Sequence, residues 1–130
     1  MSTRTNISSG GPYEAVFGYS RAVKVGNMVF VAGSTALQPD GEVTGVGDAY
    51  TQTVTALRTI EKALQQAGAS MKHVVRTRMF ATDLAHVEAI GKAHAEFFRD
   101  IRPASTLVEI SRLAHPDMLI EVEADAVISD

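Results

Sequence analysis

The sequence predicts an α+β two-layer domain, one mixed sheet with two helices on one face, in the order β-β-α-β-α-β-β. Three observations carry this. Ile120, Val122, Ala124 and Ala126 alternate with Glu121, Glu123 and Asp125, the period of a strand with one buried face. Val54, Leu57, Ile60, Leu64 and Ala67 recur at three- and four-residue spacing, the stripe of an amphipathic helix. Gly26-Asn27 sits between two apolar runs, a hairpin signal.

The elements follow in order. Residues 1–12 are rich in Ser, Thr and Gly and are expected to form a loose arm. Tyr19 to Val25 reads as a strand, and Met28 to Ala32 as its hairpin partner. Residues 33–47 carry Pro39-Asp40-Gly41 and further glycines, so they form a loop with turns. Asp48 is the expected N-cap of a helix that Gly68 ends. His73 to Thr82 is rich in β-formers and reads as a central strand. Asp83 is expected to cap a second helix running to Arg99, with Leu84, Val87, Ile90, His94 and Phe97 inward. Arg102-Pro103 stops it, because the residue before proline avoids the helical region. Thr106 to Ile110 and Met118 to Ile128 are the last strands, joined through His115-Pro116-Asp117.

Composition limits the function. The chain has 130 residues, 45% of them hydrophobic, which suits one domain with its own core. The net charge is −3 without a run of Lys or Arg, which argues against nucleic acid as the main partner. Cysteine is absent, which removes disulfides, thiolate nucleophiles and thiolate metal sites. No segment reads as a signal peptide or a membrane span, so a cytoplasmic protein is the expectation. His73, His86, His94 and His115 lack metal-site spacing, so no metal is expected. No nucleotide or serine-hydrolase fingerprint is present, and no cofactor is expected.

Two helices on one face leave the other face of the sheet bare. Glu121, Glu123 and Asp125 point there by the period of two. Arg76, Arg78 and Phe80 share one face of their strand, and Ser105, Leu107 and Glu109 share one of theirs. Mixed Arg, Glu and apolar residues suit a subunit interface with a polar pocket. A solvated face with ordinary ion pairs is the alternative.

Several segments resemble the Rid family, also called YjgF. Gly18-Tyr19-Ser20-Arg21-Ala22-Val23-Lys24-Val25-Gly26-Asn27 is similar to its opening strand and turn, and Met28-Val29-Phe30-Val31-Ala32-Gly33 to its second strand. Gln52 falls on its helix-opening glutamine. Ala67-Gly68-Ala69-Ser70 with Val74-Val75-Arg76-Thr77, Pro103-Ala104-Ser105-Thr106 and Ile120-Glu121-Val122-Glu123-Ala124 continue the resemblance. It implies a chorismate-mutase-like fold and a homotrimer with a pocket for a small molecule at each subunit boundary. It implies cofactor-free hydrolysis of reactive imines and enamines of the 2-aminoacrylate type. By the same resemblance Glu121 is the catalytic carboxylate that holds water, and Tyr19 and Gly33 line the pocket.

One match fails. The family's carboxylate-gripping arginine falls on Ser105, its helix asparagine on Gly91 and its glutamine after the second strand on Ser34. Serine offers one hydroxyl and no charge, so a standard 2-imino acid loses its bidentate partner. Arg78, helped by Arg76, is the candidate replacement; neutralising Glu121 or Glu123 is its alternative role. Altered substrate choice follows if the cleft is catalytic. A non-catalytic trimer that binds a small metabolite is the alternative function.

Overall fold

The computed structural model describes residues 3–129. Its six strands form one mixed sheet in the order β1-β2-β3-β6-β4-β5. The α+β class and the two-layer arrangement match the expectation. The first strand does not. Residues 4–7, placed in a loose arm above, form β1 (Arg4–Ile7), antiparallel to β2 (Ala22–Val25) from Arg4 opposite Val25 to Ile7 opposite Ala22. Only Ile7 of the four is buried. An edge strand held by its ladder bonds therefore left no alternation to read. Met1 and Ser2 of that arm lie outside the described residues.

A short helix α1 (Glu14–Phe17) ends at Gly18, whose φ of +76° is a conformation glycine adopts without strain. β2 turns through Gly26-Asn27 into β3 (Met28–Ser34), with Val25 opposite Met28. The predicted hairpin is present. Asp48 caps α2 (Ala49–Gln66) by accepting the Thr51 N–H at 3.0 Å and the Thr51 hydroxyl at 2.7 Å, worth about 1 kcal/mol. Leu57, Ile60 and Leu64 are fully buried against the sheet, each contributing about 1.5–3 kcal/mol. Gly68, with φ +83°, follows the helix end as expected.

A 3-10 turn over Met71–His73 leads into β4 (Val74–Ala81). Asp83 caps a second 3-10 turn, Leu84–His86, through the Ala85 N–H at 2.8 Å, and α3 (Val87–Phe98) begins only there. That late start moves the helix phase. Ile90, Ala93 and Phe98 are the buried residues, while Leu84 and Val87, expected inward, are 41% and 44% exposed. α3 crosses over to β5 (Ala104–Glu109), parallel to β4, and β6 (Ile120–Val127) lies antiparallel between β3 and β4.

The predicted alternation of β6 holds. Ile120, Val122, Ala124 and Ala126 are buried under the helices. The opposite face carries no helix. Phe30 stands opposite Asp125, Arg78 opposite Glu123, Phe80 opposite Glu121 and Val108 beside Phe80. The two aromatic-and-aliphatic ends of this row, Phe30 and Val108, are 42% and 41% exposed. Ser105 and Leu107 do not join it: they register with Thr77 and Met79, which face the helices. Grouping them with the bare face was a parity error, because the two strands are parallel and joined by a crossover whose length does not fix which face comes first.

Candidate functional site

At one end of the bare face a cleft is lined by Tyr13, Tyr19, Arg21, Gly33, Met118 and Glu121, among others. The local chain explains why it exists. Val31 pairs with Ala124, but the next pairing is Ser34 with Val122. Ala32 and Gly33 thus oppose Glu123 alone, a β-bulge that breaks the ladder and re-aims the strand.

Gly33 is needed there for space. A Cβ on it would lie 2.5 Å from Glu121 Oε2 and 2.8 Å from its Cδ, so a side chain there would push that carboxylate out of its place. The glutamate carboxylate is laid across the bulge backbone. Burial raises its pKa above the ordinary 4.5; Arg21 pulls it back and Glu123 adds to the rise. A half-buried carboxylate with raised proton affinity is suited to accept a proton near neutral pH.

Gln52 fixes the chain just before Glu121. It is fully buried in the first turns of α2. Its Nε2 donates to the carbonyls of Gly45 at 3.0 Å and Asp117 at 2.9 Å, and its Oε1 accepts the Leu119 N–H at 2.8 Å. The helix thereby holds the turn from which β6 presents the carboxylate.

The residue that sequence reasoning missed is Arg21, 7% exposed on the cleft floor. Its Nη1 donates to the Gly33 carbonyl at 2.5 Å and to Ser34 Oγ at 3.0 Å, and its Nη2 to the Tyr19 hydroxyl at 3.3 Å. The guanidinium therefore grips both residues of the bulge exit. Glu14 Oε2 lies 3.7 Å from its Nε. Glu14 is itself buried and wrapped by the preceding segment: Ser8 Oγ donates to it at 3.0 Å, Ser9 Oγ at 2.5 Å and the Gly11 N–H at 3.2 Å. Burial pushes the Glu14 pKa up, and the bonds from Ser9, Ser8 and Gly11 together bring it below 4.5. The signal was available. Arg21 stands two residues after Tyr19 in an extended stretch, so the period of two puts both on one face.

Tyr19, Gly33 and Glu121 are brought together, then, and Arg78 and Ser105 are not. Arg78 Nη1 lies 3.4 Å from Glu123 and 3.2 Å from Asp125, in the middle of the bare face. This is the neutralising role named above, with Asp125 added. Ser105 sits on the helix side, its Oγ 2.8 Å from Thr77 Oγ1, which in turn lies 2.9 Å from His94 Nε2. Burial lowers the His94 pKa, which favours the neutral imidazole within this hydrogen-bonded chain. Ser34 is buried and bonds Arg21, as above, and the Ala32 carbonyl at 2.9 Å. Gly91 is exposed on α3 with open space around it. Among the described residues no group of three His, Asp or Glu side chains is arranged to hold a metal ion. None of the described helices is long and apolar enough to cross a membrane.

Comparison with known proteins agrees with this architecture. A family model described as Endoribonuclease L-PSP matches residues 12–128. The chain is 38% identical over 120 residues to an uncharacterized protein of Streptomyces coelicolor, covering 92% of this chain and 89% of that one. It is 40% identical over 108 residues to the 3-aminoacrylate deaminase RutC of Acinetobacter baylyi, covering 83% and 85%. Among solved structures it is similar to Rv2704 of Mycobacterium tuberculosis, described as a member of the YjgF/YER057c/UK114 family, at 45% identity and a TM-score of 0.89 over 97% of this chain and 100% of that one. The YjgF gene product of E. coli superposes with a TM-score of 0.82 at 29% identity over 95% and 98%. With the family model spanning nearly all of it and the same fold in these relatives, this chain belongs to the YjgF/Rid family.

Proposed function

We propose that the chain is a cofactor-free hydrolase of reactive imines or enamines, working in the cytoplasm as a homotrimer. The observation that carries the reading is Glu121: a half-buried carboxylate of raised proton affinity laid over Gly33, facing a cleft. An enamine first tautomerises to its imine. Glu121 then takes a proton from a water whose oxygen attacks the C=N carbon, giving a carbinolamine. The carboxyl returns that proton to nitrogen; the carboxylate then takes the carbinolamine hydroxyl proton and delivers it to the same nitrogen, and the C–N bond breaks as the C=O forms, so that a carbonyl compound and ammonia leave. Imines are already electrophilic, so a positioned water and one base suffice. Tyr19 borders the ligand, and Arg21 holds the bulge that seats the carboxylate. The named activity of the Acinetobacter relative, deamination of an enamine, supports the reaction class.

The trimer reading rests on the bare sheet face. Phe30, Phe80 and Val108 flanking Arg78, Glu123 and Asp125 form an apolar and charged surface of the kind that closed symmetry covers. In such a trimer Ser105, on the edge strand β5, would meet a ligand only from a neighbouring copy. A nuclease is disfavoured by the net charge of −3 and by a cleft arginine already facing a carboxylate.

The test is direct. Imines are generated with an amine or amino-acid oxidase, and what survives is trapped with semicarbazide. Wild type is expected to cut the trapped fraction and Glu121→Gln to leave it at the buffer level. No acceleration for any imine, with ligands still bound, would establish the non-catalytic binder instead.

A further inference from the structure

We infer that the cleft continues into a second subsite on the helix side of the sheet, and that its ligand carries a chain of several atoms ending in an oxygen acceptor such as an amide carbonyl. That the reacting group is an imine rests on the reading above; the subsite does not. It follows from where the cleft leads.

The cleft that holds Glu121 and Gly33 also reaches Thr59, a residue of α2. It therefore runs from the end of the bare face into the helix layer. A groove adjoins it there: Ser9, Gly11, Arg21, Leu37 and Thr59 line both. Beyond this shared neck the groove follows α2 past Lys62, Ala63 and Gln66. With Thr59 these recur at three- and four-residue spacing, one helical stripe about 10 Å long. It is distinct from the Leu57, Ile60 and Leu64 stripe that is buried against the sheet. Gln38 and Pro39, from the loop after β3, complete the groove. Copies of the chain would meet on the bare face, whereas α2 lies in the other layer, so the groove lining comes from one chain.

Arg21 belongs to both ends. It grips the Gly33 carbonyl and Ser34 Oγ beside Glu121, and it lines the groove. Its Nε is buried without a hydrogen-bond partner, so those bonds do not exhaust the guanidinium. At the neck Thr59 donates its hydroxyl proton to the Thr55 carbonyl at 3.2 Å. The groove itself has two kinds of surface. Leu37, Pro39 and Ala63 offer apolar contact to methylene groups. Lys62 and Gln66 are exposed and offer N–H donors, and a lysine ammonium can only donate. The fitting occupant is thus a methylene chain with an acceptor at its far end. A short imine leaves this surface to water. Two buried methylene groups alone are worth about tenfold in affinity. The substrate named for the Acinetobacter relative, 3-aminoacrylate, has no chain that would reach the groove.

The experiment compares butanone with 6-acetamidohexan-2-one, two methyl ketones whose C=O stands in for the C=N of an imine. Binding to the full chain is followed by backbone amide shifts in NMR. The expected result is at least tenfold tighter binding of the longer ketone, with shifts at Gly33, Lys62 and Gln66; butanone is expected to move Gly33 alone. Equal affinity overturns the inference. Tighter binding that leaves Lys62 and Gln66 unmoved overturns it too, because the chain then lies along the bare face. Thr59→Phe fills the neck and is expected to erase the advantage of the longer ketone. An unchanged advantage in a folded Thr59→Phe contradicts the subsite; if that variant fails to fold by circular dichroism, the wild-type shifts decide alone. Hydrolysis is measured in parallel by semicarbazide trapping of the imines that an amine oxidase makes from ethylamine and N-acetylcadaverine. Faster removal of the longer imine supports the subsite. Hydrolysis of neither, with the ketone pattern intact, sinks the catalytic reading and leaves the subsite standing.

Discussion

The sheet carries two arginine–carboxylate clusters, and they do different work. Arg78 with Glu123 and Asp125 lies mid-face, with the arginine side chain 43% exposed. Arg21 with Glu14 lies at the cleft, both side chains under one-tenth exposed. Exposed pairs contribute about 0–1 kcal/mol, and sequence chemistry predicts them wherever alternating acids face alternating arginines. A buried pair has to offset a large desolvation cost, so it persists where surrounding bonds hold it. Here those bonds run to the bulge carbonyls and to the Ser8–Gly11 segment, the parts that shape the cleft. Burial, not pairing, marks the arginine that shapes the cleft.

Glu121→Gln should lower the imine-hydrolysis rate by about 10²–10⁴-fold, the usual worth of a positioned acid–base group; retention of rate would move the chemistry elsewhere. Arg21→Ala should destabilise by about 3–5 kcal/mol in urea titration, since it strands the buried Glu14. A loss below about 1 kcal/mol, the exposed-pair range, would erase the distinction between the clusters. Gly33→Ala should fold and lose most activity, because its methyl group occupies the position of the Glu121 carboxylate. Unchanged activity there would mean that the carboxylate acts from another rotamer.

Glu121 also ties stability to pH with a definite sign. Its folded pKa lies above the ordinary 4.5, so the folded state holds that proton more tightly than the unfolded chain does. As pH rises from the ordinary value through the raised one, wild type loses stability that Glu121→Gln keeps. Glu14 works the other way, its lowered pKa giving stability that is lost as pH falls. Subtracting the variant from wild type isolates Glu121: Glu121→Gln should gain on wild type as pH rises above the ordinary 4.5, and the opposite slope would refute the burial. The smallest effect belongs to Arg78→Ala, expected within about 0–1 kcal/mol in the isolated subunit.

Much of the fold was legible because single segments state it. The Asp48 cap, the Leu57–Ile60–Leu64 stripe and the β6 alternation are local signals, and each appears as read. What failed depended on neighbours. β1 has one buried residue and exists through pairing with β2. Leu84 and Val87 were misplaced because the 3-10 turn delays α3. In the site, resemblance reached Tyr19, Gly33 and Glu121, which the cleft unites. The partnership of Arg21 with Glu14 was hidden, because neither the bulge nor the fold of residues 8–14 leaves a periodic mark. Ser105 was set on the wrong face for want of the β4–β5 register.

The most direct test pairs two readings on one atom group. The Glu121 carboxyl is titrated by ¹³C NMR, and the pH dependence of kcat/KM for imine hydrolysis is measured alongside. The account predicts a carboxyl midpoint above the ordinary 4.5 and a rate that rises through that same midpoint. A carboxyl titrating at or below the ordinary value, or a rate indifferent to its ionisation, would contradict it.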